Sequence, residues 1–246
     1  MNNRYDENDS LSSEKKYGGF TGGRVRASEE GDAGGISVTK YNLILGGVLF
    51  WGFLANTLIC LFTRPFIEEW NPFPILIGYL VFALIGVLLT RSRSAVVSFI
   101  GYNLVVLPLG FVLSLFLVGF EPNLILSVFL MTAAVTLTMM LLSLVFPNLF
   151  ISMGRALGIT LLIVIVVEIV FFAVAIATGG FNERISLVID GIVVVIFSLY
   201  IGYDWAVAQK RYRTVDAAVD SACALYLDII NVFIRLLSIM GRRSRR

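Results

Sequence analysis

Past residue 40 the chain alternates between long apolar runs and short polar connections. Seven runs stand out, near 42–63, 73–90, 95–117, 124–146, 156–178, 185–208 and 217–240. Each is roughly 18 to 24 residues long, which at ~1.5 Å per residue matches the ~30 Å hydrocarbon layer of a bilayer. Lipid offers the backbone no hydrogen-bond partners, so a run that enters it must satisfy its amides internally. The pattern therefore predicts an all-α integral membrane protein, a seven-helix transmembrane bundle occupying residues 41–241, with the lipid bilayer as its first partner.

The connections carry Arg64 with Glu68 and Glu69, then Arg91 and Arg93, then Glu121, then Arg155, then Glu183 with Arg184, and finally Lys210, Arg211 and Arg213. Positive charge dominates every second connection. With a cytoplasmic N-terminus the positive-inside rule is then obeyed through six crossings. The seventh run conflicts with it. A full crossing carries Arg242, Arg243, Arg245 and Arg246, the basic C-terminal tail 242–246, to the outside, whereas a re-entrant last helix keeps them inside. Because this run also holds Asp220, Asp228 and Arg235, packing against other helices must drive its insertion more than lipid does. A place at the centre of the bundle is expected for it.

Residues 1–40 have seven Gly, thirteen charges and almost no apolar periodicity, which predicts a disordered cytoplasmic tail. No basic, apolar and small-residue succession of a cleaved signal peptide is apparent there, so the first apolar run is expected to direct insertion.

Composition narrows the function. The 246 residues are 58% hydrophobic and only 15% charged, more apolar surface than one soluble core of this length buries. A net charge of +2, with its bases in short clusters beside apolar runs, does not suit nucleic acid. Cys60 and Cys223 lie in apolar sequence without metal-site or disulfide spacing and read as small buried hydrophobes. There is no histidine. The usual general base, the commonest metal ligand and the ordinary switch near neutral pH are thus missing. No substrate-site motif accompanies the carboxylates either, so no enzyme and no cofactor are expected.

The informative positions are charges inside the runs: Glu168, Asp190, Asp204, Asp228 and Arg235. Each costs at least ~2.5 kcal/mol at mid-bilayer on insertion scales, so such groups face the bundle interior or water and usually carry function. Asp204 and Asp228 lie symmetrically about residue 216, in the middle of the polar stretch QKRYRTVDAAVD. An antiparallel hairpin turning there brings them to similar depth. Two carboxylates at hydrogen-bonding distance in a low dielectric cannot both ionise cheaply and share a proton, which makes a pH sensor without histidine. Asp228, Asn231 and Arg235, spaced by three and four, form one polar stripe suited to lining a pathway. In the competing arrangement Asp204 is solvated near Lys210 and Arg211, while Asp228 and Arg235 neutralise each other. Glu168 reads either as pathway lining or as a neutral buried acid hydrogen-bonded across the bundle. Asp190 either continues the polar track or sits near the interface.

The stretches LYLDIINVFIRLLSIMG (225–241) and IVVVIFSLYIGYD (192–204) resemble the closing signature of the Bax inhibitor-1 family, the transmembrane Bax-inhibitor-motif proteins. The likeness is specific over 185–241 and looser before. It implies a seven-helix bundle around a central C-terminal helix and a pH-sensitive calcium leak governed by two aspartates on the last two helices, matched here by Asp204 and Asp228. It also implies that a basic residue ending the second helix latches the first aspartate, and TRSRSAV offers Arg91. As a plain alternative, Arg91 is an anchor snorkelling to headgroups. Glu168, Asp190 and Arg235 depart from the family pattern, and the second helix, PFPILIGYLVFALIGVLL, has no acid for an outer calcium contact.

The leading expectation is a passive calcium or other cation leak gated by Arg91, Asp204 and Asp228. A weak calcium contact at the two aspartates suits it, because hard cations take carboxylate and carbonyl oxygens and a leak needs loose coordination. The alternative is a non-transporting regulator that binds a membrane protease or stress-response complex, with residues 1–40 as the recruiting element.

Overall fold

A computed structural model of the chain describes residues 35–180 and 182–244, and the described residues are helical apart from short turns. Among the described residues eight α-helices follow one another: α1 Val38–Thr63, α2 Pro72–Thr90, α3 Ala95–Leu117, α4 Pro122–Val145, α5 Pro147–Ser152, α6 Gly154–Thr178, α7 Glu183–Lys210 and α8 Val215–Ser244. One 3₁₀ turn, Ile67–Glu69, sits between α1 and α2. All but α5 are long and apolar enough to cross a membrane. The protein is an integral membrane protein, as the run lengths predict.

Local chemistry sets the helix limits. Ser37 starts α1 by accepting from the Lys40 amide, Asn71 starts α2 through the Phe73 amide, and Asn182 starts α7 through the Arg184 and Ile185 amides. Each satisfies a donor that the first helical turn leaves open. Pro72, Pro122 and Pro147 stand in the opening turns of α2, α4 and α5, where a missing N–H costs nothing. Gly179, at φ +75°, ends α6 in the left-handed region that glycine adopts without strain.

Successive spans run antiparallel. The near face carries the start of α1, the α2–α3 turn, α5 and the α7–α8 turn. The far face carries the 3₁₀ turn, the α3–α4 and α6–α7 turns and the end of α8. Near-face hydrogen bonds tie Ile36 N to Arg213 O at 2.9 Å, Gln209 Nε2 to Asn42 Oδ1 at 3.0 Å and Lys210 Nζ to Asn148 Oδ1 at 2.6 Å. On the far face Gly241 abuts the ring of Phe120. Thus α8 crosses completely and ends opposite to where α1 begins.

Helix α8 packs against α1, α2, α3, α4 and α7, burying Ala218, Ala222, Leu225, Tyr226, Val232 and Leu237. By contrast α6 packs on α7 and α5 and leaves most of its side chains outward, as lipid contact demands. The tightest pairing joins α2 to α3. A Cβ on Gly86 would sit 2.6 Å from Gly101 O, and one on Gly101 would sit 2.6 Å from Gly86 O, so glycine at both lets the backbones touch.

Two expected boundaries shift. The tail assigned to residues 1–40 falls outside the described residues as far as 34, but Ile36 is hydrogen-bonded to the α7–α8 turn and α1 begins at Val38. At the other end the helix runs through Arg242 to Ser244 rather than stopping at 241. The short α5, falling in what reads as a connection after the fourth apolar run, is the further difference.

Candidate functional site

The α7–α8 hairpin turns through Arg211–Thr214, and its register is visible in three pairs straddling residue 216: Arg211 with Ser221, Asp204 with Asp228, and Asp190 with Arg242. Antiparallel helices joined by so short a turn keep this symmetry along their length. It brings the two aspartates of the sequence reading together. Their carboxyl groups lie within hydrogen-bonding reach of each other, 7% and 6% exposed, and Asp228 Oδ2 is buried with no hydrogen-bond partner. A carboxyl–carboxyl hydrogen bond requires a proton, so the geometry suits a pair that binds one between them. The hydroxyl of Tyr200, close enough for both carboxyls to act on it, is also buried and unpartnered.

Above the pair, the near face is closed by polar side chains. Arg211 Nη1 lies 2.6 Å from Asp220 Oδ2 and donates to Ser221 Oγ at 3.3 Å, while Ser221 Oγ meets Tyr41 Oη at 3.0 Å. Arg91 caps the C-terminal end of α2 and is exposed on the same face. Arg211, which the sequence reading placed near Asp204 only in a competing arrangement, is part of this polar closure.

Toward the far face the α8 stripe continues. Asn231 Nδ2 donates to Leu227 O of its own helix at 2.8 Å. Arg235 does not turn to Asp228. It pairs with Glu168 of α6 and, at 2.9 Å, with Asp190 Oδ1 of α7. Asp190 Oδ2 accepts from Ser238 Oγ at 3.0 Å and pairs with Arg242. The arrangement in which Asp228 and Arg235 neutralise each other is thus replaced by a four-charge cluster joining α6, α7 and α8. Glu168 is partly exposed and lies against Arg235, and Asp190 is buried inside the cluster. The sequence reading missed Arg242, yet the signal was present: Asp228, Asn231, Arg235, Ser238 and Arg242 recur every three or four residues along one face.

Among the described residues no three His, Cys, Asp or Glu gather as a metal cage. The aspartate pair offers two carboxyl groups, and a hard cation held by two carboxylates alone would need water or carbonyl oxygens to complete its shell.

The deciding likeness extends over nearly all of the bundle. Residues 38–245 match the family model described as inhibitor of apoptosis-promoting Bax1. The chain belongs to the Bax inhibitor-1 family. An uncharacterised membrane protein of Streptococcus pyogenes serotype M6 is 29% identical over 203 residues, 80% of this chain and 84% of its own length. Another, from Streptococcus pyogenes serotype M3, is 30% identical over 141 residues, covering 55% of this chain and 59% of that protein. A Helicobacter pylori protein is 36% identical over 95 residues, and there the match spans only 38% of the relative's length. The two streptococcal relatives of this Bax inhibitor-1 family chain are named as membrane proteins, and none of the three names assigns an activity.

Proposed function

We propose that this Bax inhibitor-1 family protein is a passive, pH-sensitive leak for calcium or a similar hard cation, gated by Asp204 and Asp228, in a bacterial plasma membrane with the N-terminus cytoplasmic. The observation that carries the reading is the meeting of two buried carboxyl groups from the last two helices, one oxygen of which has no partner. The pair titrates as a unit in two macroscopic steps. When charged, it holds the near-face cations, Arg211 and on the family resemblance Arg91, against the pathway and keeps it closed. Protonation weakens that hold, and the closed-to-open population shifts toward open on acidification. No chemistry on a substrate is involved.

The orientation rests on the positive-inside rule, since Arg91, Arg93, Arg155, Lys210, Arg211 and Arg213 all belong to near-face connections. The test is calcium flux into proteoliposomes carrying an internal calcium dye as pH is stepped from 8 to 6, all of these being settings of the assay. Flux should rise on acidification in the native chain. In Asp204→Asn with Asp228→Asn it should lose its pH dependence, and an unchanged pH profile in that double variant rejects the aspartates as the sensor.

A further inference from the structure

A cavity of about 830 Å³ lies between α1, α3, α4 and α8, on the opposite side of α8 from Glu168 and Arg235. Its back is formed by buried Leu113 and Ser114 of α3 and Ile230 of α8. Its lips are the exposed side chains of Phe50 and Leu61 on α1 and Leu126 and Phe129 on α4, so it opens sideways into the hydrocarbon rather than to water. The size falls within the ~300–1,000 Å³ of ordinary small-molecule sites, and sites of this kind form between the helices of bundles. Along α1 the lining runs from Phe50 to Arg64, fourteen residues or ~21 Å at 1.5 Å per residue, a little more than one leaflet of a ~30 Å hydrocarbon layer.

One feature makes this more than a greasy surface. The charged side chain of the lining is Arg64, at the far-face mouth where headgroups lie.

We infer that this groove is a phospholipid site, holding one acyl chain of a lipid from the far-face leaflet with its phosphate on Arg64. The guanidinium suits phosphate oxygens through paired, charge-assisted hydrogen bonds. The site lies apart from the aspartate pair, and no part of it depends on ion transport.

The test uses the full chain, stripped of lipid in detergent and offered phosphatidylglycerol or diacylglycerol with the same chains, with bound lipid counted by native mass spectrometry. The native chain should hold one phosphatidylglycerol and prefer it about tenfold, the worth of one good charge-assisted contact. Arg64→Gln should bring the two lipids to parity while keeping a chain bound. Ala133→Phe, which fills the groove, should remove the bound lipid. Equal binding of both lipids by the native chain, or undiminished lipid in a folded Ala133→Phe protein, overturns the proposal. If Ala133→Phe fails to fold, Arg64→Gln and the native thiol decide. Cys60 lines the groove, so in liposomes of phosphatidylglycerol it should resist a charged methanethiosulfonate. Rapid reaction with the charged reagent means a water-filled cavity and rejects the lipid. Neither readout measures flux, so loss of the leak reading leaves this one standing.

Discussion

At the scale of single residues, symmetry about residue 216 made the aspartate pair legible, because a short helical hairpin fixes which positions share a depth. The partner of Arg235 was not legible. Charge matching within one helix favours Asp228, seven residues away, but only the tertiary register shows that Asp190 and Glu168 lie closer to the guanidinium. Arginine's long stem lets it lean away from its own turn toward acids on two other helices. Asp190 is 4% exposed, while Arg235 and Arg242 are about a quarter exposed, so the acid is shut away and the bases are not. Asp190→Asn should accordingly lower unfolding stability in detergent by about 1–3 kcal/mol, between the values of exposed and fully buried pairs. Arg235→Gln, leaving Arg242 in place on Asp190, should cost less. A urea or heat titration read by tryptophan fluorescence would order the two, and a greater loss in Arg235→Gln would mean that Glu168 and not Asp190 anchors the cluster.

At the scale of elements, run length alone places all seven spans within a few residues, since in lipid the apolar stretch and the helix are the same object. Helix α5 escapes this reasoning. Pro147 stops α4, but a proline that breaks one helix also opens the next, and PNLFIS makes one further turn before Met153. This turn is used: Phe150 packs against Gly202, and Lys210 reaches Asn148. The close contact of α2 and α3 was equally hidden, since isolated glycines in apolar runs are common in membrane helices. Gly86→Val should separate that pair, because the added carbon meets backbone, which cannot turn aside. Overpacking of this kind costs ~1–3 kcal/mol. The loss should appear as a lower midpoint in thermal denaturation, whereas Gly78→Val, at a glycine with open space around it, should leave the midpoint almost unchanged.

At the scale of the whole molecule, the conflict over the last span has a physical resolution. Helix α8 has thirty residues, ~45 Å at 1.5 Å per residue, and ends beside Phe120 on the far face. Its length and its contacts along α7 leave no room for a re-entrant path. With the N-terminus cytoplasmic, as proposed, the basic end departs from the positive-inside tendency, and an arginine at the bilayer centre carries ~2.5–3.5 kcal/mol on insertion scales. Asp190 offsets that cost for two arginines at once: it meets Arg235 and Arg242 from within α7, which precedes α8 in the chain and is in place to receive it. The cluster is thus expected to act on topology as well as stability. In a chain with Cys60→Ala and Cys223→Ala, a cysteine introduced by Arg246→Cys should be labelled by an impermeant maleimide from the side opposite the N-terminus. Asp190→Leu together with Glu168→Leu should return a fraction of molecules to same-side labelling, because the arginines then cross without an acidic partner. If the double substitution leaves every C-terminus on the far face, packing of the apolar side of α8 against α1, α3 and α4 suffices to draw the arginines across, and the cluster serves only to hold α6 to the finished bundle.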